Sequence, residues 1–211
     1  MEAMGDVKQR ADVSGAILAG GEARRMGGVN KALLEVGGEP IVVRLARTLG
    51  RLFRETVVVT RNPAPYQALG LRTATDLFAR RSSLTGLHAA LHHAQAPFAF
   101  VTGCDTPFLR PGLVEILLEQ ISPDVDVVVP AQENGYFEPL CAVYSRACLE
   151  PMQRLLEQDT LQIIRLFPLV RVRTVSVAVL RAEDPDLLSF ANANTPEDLE
   201  HLRNLASREQ P

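Results

Sequence analysis

Short apolar runs alternate with longer amphipathic ones along the whole chain. Residues 15–19 (GAILA) form a buried run that stops at Gly20-Gly21. Residues 40–52 (PIVVRLARTLGRL) space apolar and arginine positions at helical intervals, with Pro40 at the first helical position. Residues 56–60 (TVVVT) are β-branched and predict a strand, and 71–75 predict a weaker one that ends before Asp76. The pattern continues with a helix over 84–94, a strand over 98–102 and a helix over 111–119. Strands follow at 125–130 and 140–144, then helices at 146–156 and 161–167, and a last β-branched run at 170–180. Thr195-Pro196-Glu197-Asp198 opens a terminal helix, with Thr195 as cap and Asp198 completing a capping box.

Continuous apolar strands such as Val57-Val58-Val59 require cover on both faces. The expected fold is therefore α/β: a single Rossmann-like three-layer α/β/α domain around a mostly parallel sheet, with ligands at the carboxyl ends of the strands. No repeat, low-complexity tract or long linker divides the chain. The boundaries expected are a tail at 1–12, the domain at 13–206 and a short tail at 207–211.

Composition narrows the class. With 211 residues and 46% hydrophobic content, the chain buries about 70% of its unfolded surface and is not a disordered protein. Three cysteines without a C-x-x-C spacing exclude a disulfide scaffold. A net charge of −3 argues against a nucleic-acid binder. The stretch free of charged residues at 82–104 contains Pro97, Gln95, His88, His92 and His93, too polar for a lipid-facing helix, so no membrane contact is expected. The first twelve residues have no apolar core, are not a signal peptide, and leave the cytoplasm as the expected location. Charge is uneven: residues 1–81 hold 13 basic and 8 acidic side chains, which makes that part the host for an anion. Of the 22 basic residues only Lys8 and Lys31 are lysines.

The chemistry begins where the first strand stops, at Leu18-Ala19-Gly20-Gly21-Glu22-Ala23-Arg24-Arg25-Met26-Gly27-Gly28-Val29-Asn30-Lys31. Glycines after a buried strand let the backbone approach a ligand and aim N–H groups at phosphate, and Arg24, Arg25 and Lys31 supply countercharge. The run is neither a Walker A loop nor a G-x-G-x-x-G fingerprint, because both spacings are absent.

L-A-G-G-x-x-x-R-M-G-x-x-x-K resembles the signature of nucleotidyltransferases that activate phosphorylated small molecules, and within them the molybdenum cofactor guanylyltransferases (MobA-type). The resemblance extends in order through Lys31-Ala32-Leu33-Leu34 with Gly38-Glu39-Pro40, Thr75-Asp76 before a Gly86-centred helix start, Cys104-Asp105-Thr106-Pro107, and Asn192-Ala193-Asn194-Thr195-Pro196. It covers about residues 13–205. It implies a sheet like that of the nucleotide-diphospho-sugar transferases, and attack by the terminal phosphate of a molybdopterin-type acceptor on the α-phosphorus of GTP. Pyrophosphate leaves and Mg²⁺ assists. The nucleophile belongs to the substrate, so the protein supplies positioning and charge neutralisation.

By that resemblance Leu18, Ala19, Gly20 and Gly21 cradle the nucleotide, and Arg25 and Lys31 meet its phosphates. Asp105 is the Mg²⁺ ligand, needing only one or two carboxylates beside phosphate oxygens. Asp76 contacts the nucleotide or the metal's surroundings. Thr60 stands where the family often has Asn, with Asn62 two residues on as the other candidate. Asn192 and Asn194 contact the acceptor or the metal's outer shell, although Asn194-Thr195-Pro196 is equally a helix-entry sequence. Glu138, in the 135–139 segment, borders the acceptor. A monomer in transient contact with proteins that deliver or receive the cofactor is implied as well.

Three features are read as structural. His88 and His92 have the i, i+4 spacing of helical zinc ligands but no Glu or Cys beside them, and are expected on a partly exposed helix face. Cys104 is expected to pack, and Cys141 and Cys148 read as small core or surface residues. The rival functions are a CTP-dependent relative, a transferase for another phosphorylated acceptor, a nucleotide-binding regulator of the same fold, and a redox dinucleotide binder. Leu18–Gly21 reads L-A-G-G, as in the guanine-using subgroup, where the cytosine-using relatives tend to have L-A-A-G.

Overall fold

The structure is a computed structural model that describes residues 9–20 and 29–209. Its centre is a seven-stranded sheet of β1 (Val13–Leu18), β4 (Thr56–Val59), β5 (Thr73–Ala74), β6 (Phe98–Gly103), β7 (Val127–Ala131), β8 (Cys141–Ser145) and β9 (Val172–Ser176), in the order β5-β4-β1-β6-β8-β7-β9. β8 alone runs antiparallel to its two neighbours, so the expected mostly parallel sheet is observed. A small hairpin, β2 (Glu35–Val36) with β3 (Glu39–Pro40), stands apart from it.

Period-2 alternation divides the strand side chains between two cores. Along β6, Phe100 enters one core with Val13 and Ile17 of β1, while Ala99 and Val101 enter the other with Ala16 and Leu18. The first core is closed by α1 (Ile41–Leu52), α4 (Pro111–Glu119) and α7 (Pro196–Glu209). The second is closed by α3 (Ser83–His93) and α5 (Leu149–Glu157). Gly15 permits the tightest approach, since a Cβ there would lie 2.9 Å from the Phe53 ring.

From β1 the chain passes through α1 to β4 on one side, and it later returns through α3 to β6 on the other. This reversal makes a topological switch point, and a crevice opens beyond the carboxyl ends of β1 and β6.

The sequence pattern locates most elements to within a residue or two. Pro40 caps α1 instead of opening it, because Pro40 still pairs with Glu35 in the hairpin. Residues 146–156 split into a 3-10 turn (Arg146–Cys148) and α5, and 161–167 reduce to two 3-10 turns, Ile163–Arg165 and Phe167–Leu169. The 170–180 run is strand only to Ser176. There its partner β7 ends, and Ser176 Oγ accepts the N–H of Ala178 to start α6 (Val177–Leu180). The capping box forms as expected: Asp198 N–H donates to Thr195 Oγ1 at 3.1 Å, and Thr195 N–H to Asp198 Oδ2 at 2.9 Å. Periodicity does not reveal α2 (Ala64–Gln67), which is one turn long. Among the described residues no helix is long and apolar enough to cross a membrane.

Candidate active site

A cleft of about 420 Å³ occupies the switch point. Its walls include Leu18 and Gly20 at the end of β1, Lys31, Val59, Asp76, Gly86, Gly103, Cys104 and Asp105. A Cβ built on Gly20 would meet nothing within 4 Å among the described residues, which leaves that space open to a ligand. Gly103 is a glycine for the opposite reason, because a Cβ there would lie 2.7 Å from Oδ1 of Asp105.

Lys31 opens a 3-10 turn (Lys31–Leu33) that is fixed from beneath. Asn30 Oδ1 accepts the N–H of Ala32 at 3.2 Å, and the Asn30 amide exchanges hydrogen bonds of 2.9 and 3.1 Å with the hydroxyl of Tyr66. Tyr66, on α2, is fully buried. The Lys31 ammonium donates to Asn194 Oδ1 at 2.7 Å and stands 3.9 Å from Asp105 Oδ2. Its side chain is 16% exposed and that of Asp105 27%. Burial pushes the Asp105 carboxyl above the usual carboxylate range, and the Lys31 charge opposes that shift. The neighbouring thiol of Cys104 is pushed up to about 12, chiefly by burial and then by the Asp105 charge. It is protonated at neutral pH and is no nucleophile.

The third wall is the loop from β5 to α3. Asp76 is 12% exposed and accepts from Arg61 Nε at 2.6 Å. Ser82 Oγ accepts the N–H of Thr85 at 3.0 Å and caps α3, so the positive end of that helix dipole faces the cleft.

The sequence candidates differ in where the structure places them. Leu18, Gly20, Lys31, Asp76 and Asp105 share the cleft. Asn194 reaches it through Lys31, while Ala193 N–H donates to the Asp105 carbonyl at 2.9 Å and ties the Asn192–Asn194 segment to that loop; Asn192 itself is exposed. Ala19 and Thr60 are buried beside the cleft, and the Thr60 hydroxyl accepts from the Asn62 N–H at 3.2 Å. Glu138 accepts from the Gln132 amide at 2.8 Å, in the connection between β7 and β8. Gly21, Arg24 and Arg25 lie outside the described residues.

One expectation needs adjustment. His88 is 5% exposed, not on a partly exposed face, because its ring packs edge-on against Phe78 at 5.0 Å; His92 is exposed. Among the described residues no group of three or more His, Cys, Asp or Glu side chains is placed to hold a metal ion. Sequence reasoning also missed Arg61 and Tyr66. A single Arg after a strand and a single Tyr in a proline-rich turn carry no spacing signal.

Comparison with known proteins agrees with this geometry. The family model for the MobA-like NTP transferase domain matches residues 15–172. The molybdenum cofactor guanylyltransferase of Desulfosudis oleivorans is 46% identical over 188 residues, covering 89% of this chain and 93% of its own. The probable molybdenum cofactor guanylyltransferase of Pelotomaculum thermopropionicum is 41% identical, covering 92% and 93%. The crystal structure of molybdopterin-guanine dinucleotide biosynthesis protein A from Archaeoglobus fulgidus superimposes with a TM-score of 0.81 at 28% identity, covering 92% of this chain and 99% of that one. With its switch-point cleft, its Lys31–Asp105 pair and these relatives, the chain belongs to the MobA-like NTP transferase family.

Proposed function

We propose that this protein transfers GMP from GTP to the terminal phosphate of molybdopterin, forming the guanine dinucleotide and releasing pyrophosphate. The observation that carries the reading is the pairing of Lys31 with Asp105 at 3.9 Å in a glycine-walled cleft, in a chain 46% identical to a molybdenum cofactor guanylyltransferase.

The triphosphate lies along Gly20 and Lys31, with Leu18, Ala19 and Gly21 following the nucleoside and Asp76 and Thr60 closing its far side. Lys31 neutralises negative charge that grows on the α-phosphate oxygens and on the departing pyrophosphate oxygen as the acceptor oxygen approaches, and Arg25 adds to it. In-line positioning supplies the rest, since both reacting oxygens belong to substrates. Asn192 and Glu138 border the acceptor, and Asn194 orients Lys31.

Asp105 suits a divalent cation. It is a single recessed carboxylate beside a backbone with no Cβ, as a hard cation requires when phosphate oxygens and water complete its shell. Mg²⁺ bound there would supply charge neutralisation on the triphosphate. The reaction needs no membrane and is placed in the cytoplasm.

A matrix of GTP, CTP, ATP and UTP against molybdopterin and a simple sugar phosphate, scored by pyrophosphate release, tests the reading. Release is expected only with GTP, molybdopterin and a divalent cation together. Turnover with the sugar phosphate and none with molybdopterin would overturn it.

A further inference from the structure

Arg61 follows the end of β4 and has no part in the mechanism above, yet it holds one wall of the cleft. Its Nε donates to Asp76 Oδ2 at 2.6 Å. Its Nη2 is aimed at three consecutive carbonyl oxygens, those of Phe78 and Ala79 at 2.9 Å and of Arg80 at 3.0 Å. Carbonyl dipoles that converge in this way repel one another, and a cation at their focus is what permits the path. Charge-assisted bonds of this kind are about twice as strong as neutral ones. The same guanidinium thus fixes the carboxylate of Asp76 and the backbone leading to Ser82, and both Asp76 and Ser82 line the cleft.

Two further contacts of this loop act away from the cleft. Arg80 pairs with Asp159 at 3.0 Å on the outer surface, where both side chains are more than half exposed. Phe78 rests on His88 beneath. Arg61 joins the loop's backbone to a carboxylate of the cleft wall.

We infer that Arg61 is a positioning residue for nucleotide binding, acting through Asp76 and the 78–80 backbone. The inference rests on the reading of the cleft as a nucleotide site. Lysine does not substitute, because a point charge on a flexible stem cannot serve a carboxylate and three carbonyls at once.

The test is equilibrium binding of GTP, with kcat, KM and thermal melting, for the wild type and for R61A, R61K, R80A, D76A and R61A/D76A. R61A is expected to weaken GTP binding about tenfold and to raise KM equally, with kcat within about twofold. R61K should not restore binding, and R80A should bind like the wild type. In the D76A background the R61A loss should shrink to about threefold or less, because much of it runs through that carboxylate. Wild-type affinity in R61A, fully multiplicative losses in the double variant, or an equal loss in R80A that tracks its melting temperature would each overturn the inference. A wild type that binds another nucleotide instead of GTP overturns only the base assignment, and the same comparison then uses that nucleotide. A wild type that binds none of the four overturns both.

Discussion

Lys31 and Asn194 lie 163 positions apart, and the ammonium of the first donates to the side-chain oxygen of the second at 2.7 Å. The end of the first loop and the entry to the last helix are thereby closed onto one another across Asp105. The ammonium is held by a neutral acceptor, while the carboxylate of Asp105 stands at 3.9 Å, beyond hydrogen-bond distance.

Lys31→Ala should lower kcat by roughly 10²–10³-fold, the range for a lost group that stabilises transition-state charge. The melting temperature should hold, because no apolar core residue is removed. Steady-state kinetics beside a thermal melt check this. Unchanged turnover would remove Lys31 from the mechanism.

Asn194→Ala should lower kcat about tenfold, through loss of one hydrogen bond to a charged group. In the Lys31→Ala background the same change should have little further effect, since both removals strike one interaction. A double-variant cycle on kcat measures this; equal losses in both backgrounds would show that Asn194 acts on the acceptor directly.

Gly103→Ala places a Cβ 2.7 Å from Oδ1 of Asp105 and forces the carboxylate to move. The apparent divalent-cation requirement should rise by about 10-fold or more, in the range seen when groups supporting a metal ligand are lost. A titration of activity against Mg²⁺ reads the shift.

His88 gives the fold an acid-sensitive point. Burial depresses its pKa, and the neighbouring His92 adds to the effect. The unfolded chain therefore holds the proton more tightly. Stability is full above about pH 6.5, the unfolded value, and falls as pH drops from there towards the folded value. Melting curves between about pH 7.5 and 5.5 should show a loss that shrinks in His88→Leu.

The sequence made legible what repeats or borders a strand. Gly20, Asp76 and Asp105 stand where apolar runs end, so the strand ends bring them to one crevice, and Lys31 joins them through the 3-10 turn that Asn30 and Tyr66 hold. The Ser176 switch from strand to helix was not legible, because Val175 and Val177 look alike until the neighbouring strand is known to stop at Ala131. Arg61 and Tyr66 were hidden for a related reason. Their partners Asp76 and Asn30 are reached through loops, which carry no period from which to read a contact.

Transfer of label from [α-³²P]GTP and, in parallel, from [γ-³²P]GTP tests the central claim most directly, with molybdopterin as acceptor and Lys31→Ala as control. The α-label should enter a dinucleotide joined to the acceptor, the γ-label should leave as pyrophosphate, and both should fail in the variant. Appearance of the γ-label on the acceptor, or α-transfer undiminished in Lys31→Ala, would contradict the account.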